Sequence, residues 1–402
     1  MFDESLLDSP EALARADAQG QLRAAAEAGA HVRTAARHAE ESALSELRPE
    51  GRPRAVLVAG SGPATVCTAD LLGAFTNGAL SVTLLRSYGP LAAPGALRWT
   101  LPGWAGPLDL LIVCTTDGSE PGLTALIEQA YRRGCTVVSV SPASAAVAEL
   151  TGETHGLAVP LHLGPAAVWE PPYVPASRAG AEERNGQLAQ QPVALSASPA
   201  VLWSLLTPLL VLFDRLGLFP ADSSSLQSLA DRLDHVAERC GPAIATYTNP
   251  AKTLATELTG TLPLLWSEGA VAEAVAQRCA GAFAALPGLP VLTAALPGAL
   301  SAHSTLLSGS LAASSDPEDF FRDRVEEPET LRARVLFVRE QTEYEHSAAV
   351  AVRELAYAHE VPLSELEPSD SSSPAAAAAE LIATLDFTAV YLALAASGPS
   401  WS

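Results

Sequence analysis

Short apolar runs alternate along the chain with longer stretches in which apolar positions recur every three or four residues. Ala55–Ala59 (AVLVA) has no polar face, the mark of a strand covered on both sides. Ser81–Leu85 (SVTLL), Leu108–Cys114 (LDLLIVC) and Thr136–Val140 (TVVSV) predict the strands that follow. Helical patterns lie between them over 64–75 and 123–133, the second closed by Gly134. Strand, turn and helix in this order predict a doubly wound parallel sheet.

The same plan returns downstream without a direct sequence repeat. Leu262–Trp266 (LPLLW), Pro290–Thr293 (PVLT) and Arg334–Arg339 (RVLFVR) predict strands. Helices are expected over 226–240, 250–258, 271–285, 346–360 and 375–396, with Asn249 capping the second. The predicted fold class is therefore α/β, with two doubly wound parallel-sheet lobes, each an α-β-α sandwich. The expected organisation is a helical segment over 1–50, with amphipathic patterns across 12–47, a first domain over 51–170 and a linker over 171–200. An inter-lobe helix over 201–225 and a second domain over 226–402 follow. The linker is marked by Pro171, Pro172, Pro175, Gly180 and Gly186. The run VLWSLLTPLLVLF (Val201–Phe213) is too short to span a bilayer and contains Pro208, so it reads as a buried helix.

Composition narrows the class. A chain of 402 residues exceeds one ordinary core, and 48% hydrophobic against 17% charged residues excludes a disordered chain. The net charge of −21 argues against nucleic acid and against an anionic membrane surface. It leaves a phosphate ligand open, because backbone N–H groups at a helix N-terminus bind anions locally. Cys67, Cys114, Cys135, Cys240 and Cys279 form no C-x-x-C pair and have apolar neighbours. They read as buried thiols of a reducing compartment, and with no secretory signal in the acidic, Ala-rich 1–30 the expected location is cytoplasmic.

Two turns fall where an open α/β sheet holds its ligands, at the carboxyl ends of strands. Gly60-Ser61-Gly62 follows the first strand, and Cys114 to Glu120 follows the third. Thr115, Thr116 and Ser119 offer hydroxyls, Gly118 lets backbone approach a ligand, and a helix begins at once. This set suits a phosphate better than a cation; the plainer alternative is a Thr/Ser helix cap. The first turn lacks the third glycine of a dinucleotide fingerprint and the Gly-Lys-Ser/Thr of a Walker loop. No metal, nucleotide or redox cofactor is expected.

The order of motifs resembles the bifunctional phosphoglucose/phosphomannose isomerases, proteins with tandem sugar-isomerase (SIS) domains, from about Arg54 to Ala396. Val58 to Gly62 with Asp70-Leu71-Leu72 resembles the family's glycine turn and helix. Cys114 to Glu120 (CTTDGSE) resembles its S-Y-S-G-N-T-E phosphate loop. Leu205 to Leu216 resembles its Leu-rich helix, Asn249-Pro250-Ala251-Lys252 its N-x-A-K, and Asp386 to Leu394 its last helix. The resemblance implies a hexose phosphate ligand held by Gly60, Ser61, Thr115, Thr116, Gly118 and Ser119, and a homodimer. It also implies aldose–ketose isomerisation through a cis-enediol, with a Glu moving the proton and a His assisting ring opening.

The sequence departs from the pattern at the chemistry. The family's Glu position falls on Ala285 within RCAGAFAA (Arg278–Ala285), and the His has its counterpart in His303, displaced by two positions in an expected loop. Cys114 and Asp117 replace the first Ser and the Gly of the phosphate loop. Glu257, Glu268 and Glu273 are the carboxylates expected near the second lobe's turn, with His346 at a helix start. Three readings follow: an isomerase with a rebuilt base, a silent phosphosugar sensor, and a partner protein that keeps the fold to dimerise.

Overall fold

A computed structural model of the chain describes residues 2–42, 44, 51–89, 94–163, 198–309, 311, 332–340, 347–369 and 373–396. They form two compact units. The N-lobe is Gln19–His235; the C-lobe is Val236–Ser402 together with Met1–Ala18. The chain opens with α1 (Glu4–Leu7) and α2 (Pro10–Ala16), which belong to the C-lobe.

In the N-lobe, α3 (Gln21–Ala26) and α4 (Ala28–Glu41) precede β1 (Ala55–Gly60), α5 (Pro63–Phe75), β2 (Ser81–Leu85) and β3 (Asp109–Cys114). Then come α6 (Pro121–Arg132), β4 (Thr136–Ser141), α7 (Ala146–Glu153), β5 (Leu157–Pro160) and α8 (Pro199–Arg215). The helix α9 (Ser223–Cys240) runs across the division between the units. The sheet is parallel throughout, in the order β2-β1-β3-β4-β5. Leu57, Leu111, Val113, Leu123, Leu126 and Ile127 are fully buried on one face. Complete burial of β3 explains its unbroken apolar run. Helix α8 packs on α4 and α5 and is buried through Phe213, with Pro208 inside it.

The C-lobe adds α10 (Pro250–Leu258), β6 (Thr261–Glu268), α11 (Ala270–Ala285), β7 (Leu292–Ala295), α12 (Gly298–Ser308) and β8 (Arg332–Arg339). It closes with α13 (Ala349–Ala358), β9 (Leu363–Leu366) and α14 (Pro374–Ala396). Its parallel sheet runs β7-β6-β8-β9. Helix α14 packs on α10 and α11. By length and composition α14 could cross a membrane, yet 94% of its most apolar stretch is buried within the protein, as in a core helix. A second layer packs Trp266, Phe337, Ala299, Leu307 and Val352 together.

Several expectations are corrected. The helical pattern over 12–47 divides into α2, α3 and α4, interrupted at Gly20, whose φ of +69° lies outside the helical region. His303 lies on α12 and not in a loop. Its helix is masked in the sequence by Gly298, Ser301 and Ser304, weak helix formers. The strands β5 and β9 and the helix α7 are short elements that the apolar pattern alone does not show. Residues 171–197 of the expected linker lie outside the described residues, as does His346.

Candidate functional site

At the carboxyl edge of the N-lobe sheet, β1 and β3 run side by side with Gly60 opposite Cys114. A Cβ on Gly60 would stand 1.9 Å from the carbonyl oxygen of Cys114, so the two turns approach only because residue 60 has no side chain. This brings Ser61 to the loop that follows β3. The Ser61 hydroxyl donates to the Glu120 carboxylate at 3.1 Å, and the Thr115 hydroxyl donates to the same carboxylate at 2.9 and 3.0 Å. Glu120 and Thr115 are each only 1% exposed.

Thr115 also organises the loop. Its Oγ1 accepts the backbone N–H of Asp117 at 3.2 Å and of Gly118 at 2.9 Å. Gly118 is buried against Ala145. Thr115 thus works as an internal brace, and the exposed hydroxyls of the loop are Thr116 and Ser119. The Ser119 hydroxyl donates to the exposed Asp117 at 2.5 Å. Among the described residues, the backbone N–H groups of Thr116 and Ser119 have no hydrogen-bond partner. The N-terminus of α6 offers less. Pro121 brings no N–H, and Gly122 lies so close to Leu97 that a Cβ would meet its carbonyl oxygen at 2.3 Å.

The C-lobe edge differs. Glu268, at the end of β6, accepts the Ser347 hydroxyl at 2.8 Å and the backbone N–H of Ala348, closing the N-terminus of α13. Glu340, the residue after β8, accepts the N–H groups of Val271 at 2.6 Å and Ala272 at 3.3 Å, closing the N-terminus of α11. Glu257 lies elsewhere: it accepts from Arg334 at 3.2 Å and from Ser364, toward the amino ends of the strands. Its expected place near the turn is therefore corrected. Glu273 is exposed on the first turn of α11.

His303 is 7% exposed, and its Nδ1 accepts the indole N–H of Trp266 at 2.7 Å. Burial pushes its pKa below the ordinary 6.5. Ala285 ends α11, about 22 Å along the helix axis from the sheet's carboxyl edge. Arg278, earlier on that helix, is buried and bonds both oxygens of Asp386 on α14 at 2.8 Å. Lys252 is fully buried and donates to the carbonyls of Leu7, Pro242 and Ile244 at 2.6 to 2.8 Å. Asn249 caps α10 as expected, accepting from Ala251 and Lys252 at 3.1 Å. The five cysteines are buried free thiols, also as expected. Among the described residues, no group of three or more His, Cys, Asp or Glu is placed to hold a metal ion.

Sequence reasoning missed Glu120, Glu340 and Trp266. Glu120 carried a visible signal, an acid directly at a helix start. Glu340 carried none, because its partners lie some 70 residues away in sequence.

Comparison with known proteins agrees with this architecture. Residues 247–397 match the family profile described as the bacterial phospho-glucose isomerase C-terminal SIS domain. No curated protein matches the chain in sequence. Among solved structures, a protein from Silicibacter pomeroyi described as a phosphosugar isomerase superimposes with a TM-score of 0.57 at 16% identity, over 93% of this chain and 97% of that one. The tagatose-6-phosphate ketose/aldose isomerase of Escherichia coli gives 0.52 at 12%, over 93% and 91%. The C-terminal domain of glucosamine-fructose-6-phosphate aminotransferase from Francisella tularensis gives 0.50 at 10%, over 94% and 96%. Identities this low speak for the fold alone. The two lobes are SIS-type α/β domains, and the family-level resemblance to tandem-SIS phosphosugar isomerases is supported.

Proposed function

We propose that the protein binds a phosphorylated hexose at the carboxyl edge of the N-lobe sheet and does so without isomerising it. Thr116 would donate its hydroxyl to the phosphate directly, and Ser61 and Ser119 would turn theirs to it from Glu120 and Asp117. Thr115, Gly118 and Gly60 would shape the loop that presents them. The observation that carries this reading is the pair of unpartnered N–H groups at Thr116 and Ser119 beside exposed hydroxyls. Unpartnered N–H groups of a loop can hold an anion even in a protein of net charge −21. Asp117 opposes a phosphate unless it turns outward, so affinity is expected to fall as ionic strength drops its screening.

Three residues favour binding without turnover. Ala285 has no group that moves a proton. The Glu268 carboxylate is held by two donors at a helix end. His303 is bonded through Nδ1 to a buried indole. Isomerisation between aldose and ketose is the second reading, supported by the family match over 247–397. A homodimer, as the resemblance implies, belongs to either reading and is tested by ultracentrifugation.

The experiment is a thermal-shift and turnover assay run together on fructose-, glucose- and mannose-6-phosphate, with unphosphorylated sugars as controls. Stabilisation by the phosphates alone, with no interconversion and no hydrogen exchange at C2, is the expected result. Exchange at C2 would establish the isomerase. No shift with any phosphosugar would remove both readings.

A further inference from the structure

The two lobes share a turn but fill it differently. Gly62, which caps α5 after β1, has φ +92° and ψ 162°. Gly269, which caps α11 after β6, has φ +98° and ψ 157°. Each is followed by a helix whose first N–H groups face the sheet's carboxyl edge. In the N-lobe the residue before this glycine is Ser61, and β3 is followed by Thr115 and Thr116. In the C-lobe the residue before it is Glu268, and β8 is followed by Glu340. Hydroxyls in one lobe stand where carboxylates stand in the other.

The carboxylates are engaged crosswise. Glu268, from β6, holds the helix after β8, and Glu340, from the end of β8, holds the helix after β6. The backbone N–H of Glu340 donates to the carbonyl of Glu268 at 3.1 Å, which keeps the two in register. A Cβ on Gly269 would lie 2.2 Å from Glu340 Oε1, so the glycine turn admits the carboxylate as it would admit an anion. A helix N-terminus favours negative charge, and here that charge is supplied by the chain itself.

We infer that the C-lobe edge is a self-occupied anion site: Glu268 and Glu340 are its internal ligands, they close it to phosphate, and any phosphosugar binds this chain through the N-lobe alone. The N-lobe half of this statement rests on the proposed function; the C-lobe half does not. The division of labour follows from charge. A phosphate at the C-lobe edge would have to displace a carboxylate from the helix N–H groups and then sit beside the other one, whereas at the N-lobe edge Glu120 is held by hydroxyls and the N–H groups of Thr116 and Ser119 are left to the phosphate.

The test is a count of bound inorganic phosphate by titration calorimetry on the full chain, comparing wild type with Glu340→Ala and Glu340→Gln. Glu340→Ala is expected to bind one more phosphate per chain than wild type. Its melting temperature should fall by about 3 °C and be restored by phosphate. Glu340→Gln, which keeps an acceptor oxygen in place, should bind the same number as wild type. Equal counts in wild type and a folded Glu340→Ala would overturn the inference. Counts of zero and one would retain it while removing the phosphosugar reading of the N-lobe. Should Glu340→Ala not fold, hydrogen exchange on the wild type decides. Phosphate should leave protection at Val271 and Ala272 unchanged, and a change there would overturn the self-occupied site.

Discussion

The indole N–H of Trp266 donates to Nδ1 of His303 across 2.7 Å, in the buried layer between β6 and α12. An indole is only a donor, so Nδ1 must be bare and the imidazole neutral, with its proton on Nε2. Protonating His303 would set two N–H groups against each other among Leu307, Val352 and Phe337. The folded pKa lies below 6.5, with burial as the cause. The sign follows. Stability is full above pH 6.5, where the unfolded chain is also neutral, and is lost as the pH falls from 6.5 toward the folded pKa. Chemical denaturation at pH 8 and pH 5.5 should show a larger acid loss in wild type than in His303→Gln. Equal losses would sink the account. His31 in the N-lobe, also lowered by burial, adds acid loss equally to both proteins.

Glu120 is the acceptor that joins the two N-lobe turns. Glu120→Ala would strip Ser61 and Thr115 of their shared partner and leave a buried hydroxyl unsatisfied. The expected cost is about 1–3 kcal/mol, with at least a tenfold loss of phosphosugar affinity. Ser119→Ala should weaken binding with little change in stability, since Ser119 is exposed. Paired thermal-shift and binding measurements separate the two. A Glu120→Ala protein that binds as wild type would remove the brace from the site.

Lys252 gives its three ammonium hydrogens to three carbonyls, and one of them, Leu7, belongs to the N-terminal helices. Lys252→Met leaves those carbonyls buried without a donor. It should destabilise the C-lobe by about 3 kcal/mol. Deleting residues 1–8 should cost less, and combining the two should cost less than their sum, because they share the Leu7 bond. Strict additivity in denaturant titrations would argue against that tie.

Much of this was legible in the chain. The run at 55–59 names its strand because burial on both faces leaves no polar position to confuse the pattern, and the runs at 81–85 and 136–140 are legible from their β-branched residues. Helix 250–258 was legible at its start from Asn249. The elements that escaped are those whose pattern is short or whose composition misleads, such as β9 with Ser364 and Glu365, and α12 with its serines. The site was legible as hydroxyls and glycines, since these are local in sequence. Which hydroxyl is a brace and which is exposed was not, because Thr115 and Thr116 differ only in the direction the backbone gives them. The crossed acids Glu268 and Glu340 were illegible for a further reason: their meaning lies in a contact between two βα units.

Arg278 and Asp386 form a buried pair between α11 and α14, with side chains 2% and 4% exposed. Burial raises the Asp386 pKa, and the Arg278 charge and hydrogen bonds pull it back. Arg278→Met would remove the opposing influence and leave a carboxylate in an apolar setting. At pH 8 the loss should be about 3–5 kcal/mol, the cost of an unpaired buried charge. Acid should then relieve it. The folded pKa of Asp386 already lies above its unfolded value, and losing Arg278 raises it further, so the variant gains more than wild type relative to its unfolded state as the pH falls toward that higher pKa. The gap between wild type and Arg278→Met should therefore narrow from pH 8 to pH 5. Arg278→Met with Asp386→Leu should recover much of the loss and remove the pH dependence of the gap. Denaturant titrations of the three proteins at both pH values measure this. A gap that stays constant with pH would mean that Asp386 is already neutral in the folded wild type, and that the two side chains are held by packing rather than by charge.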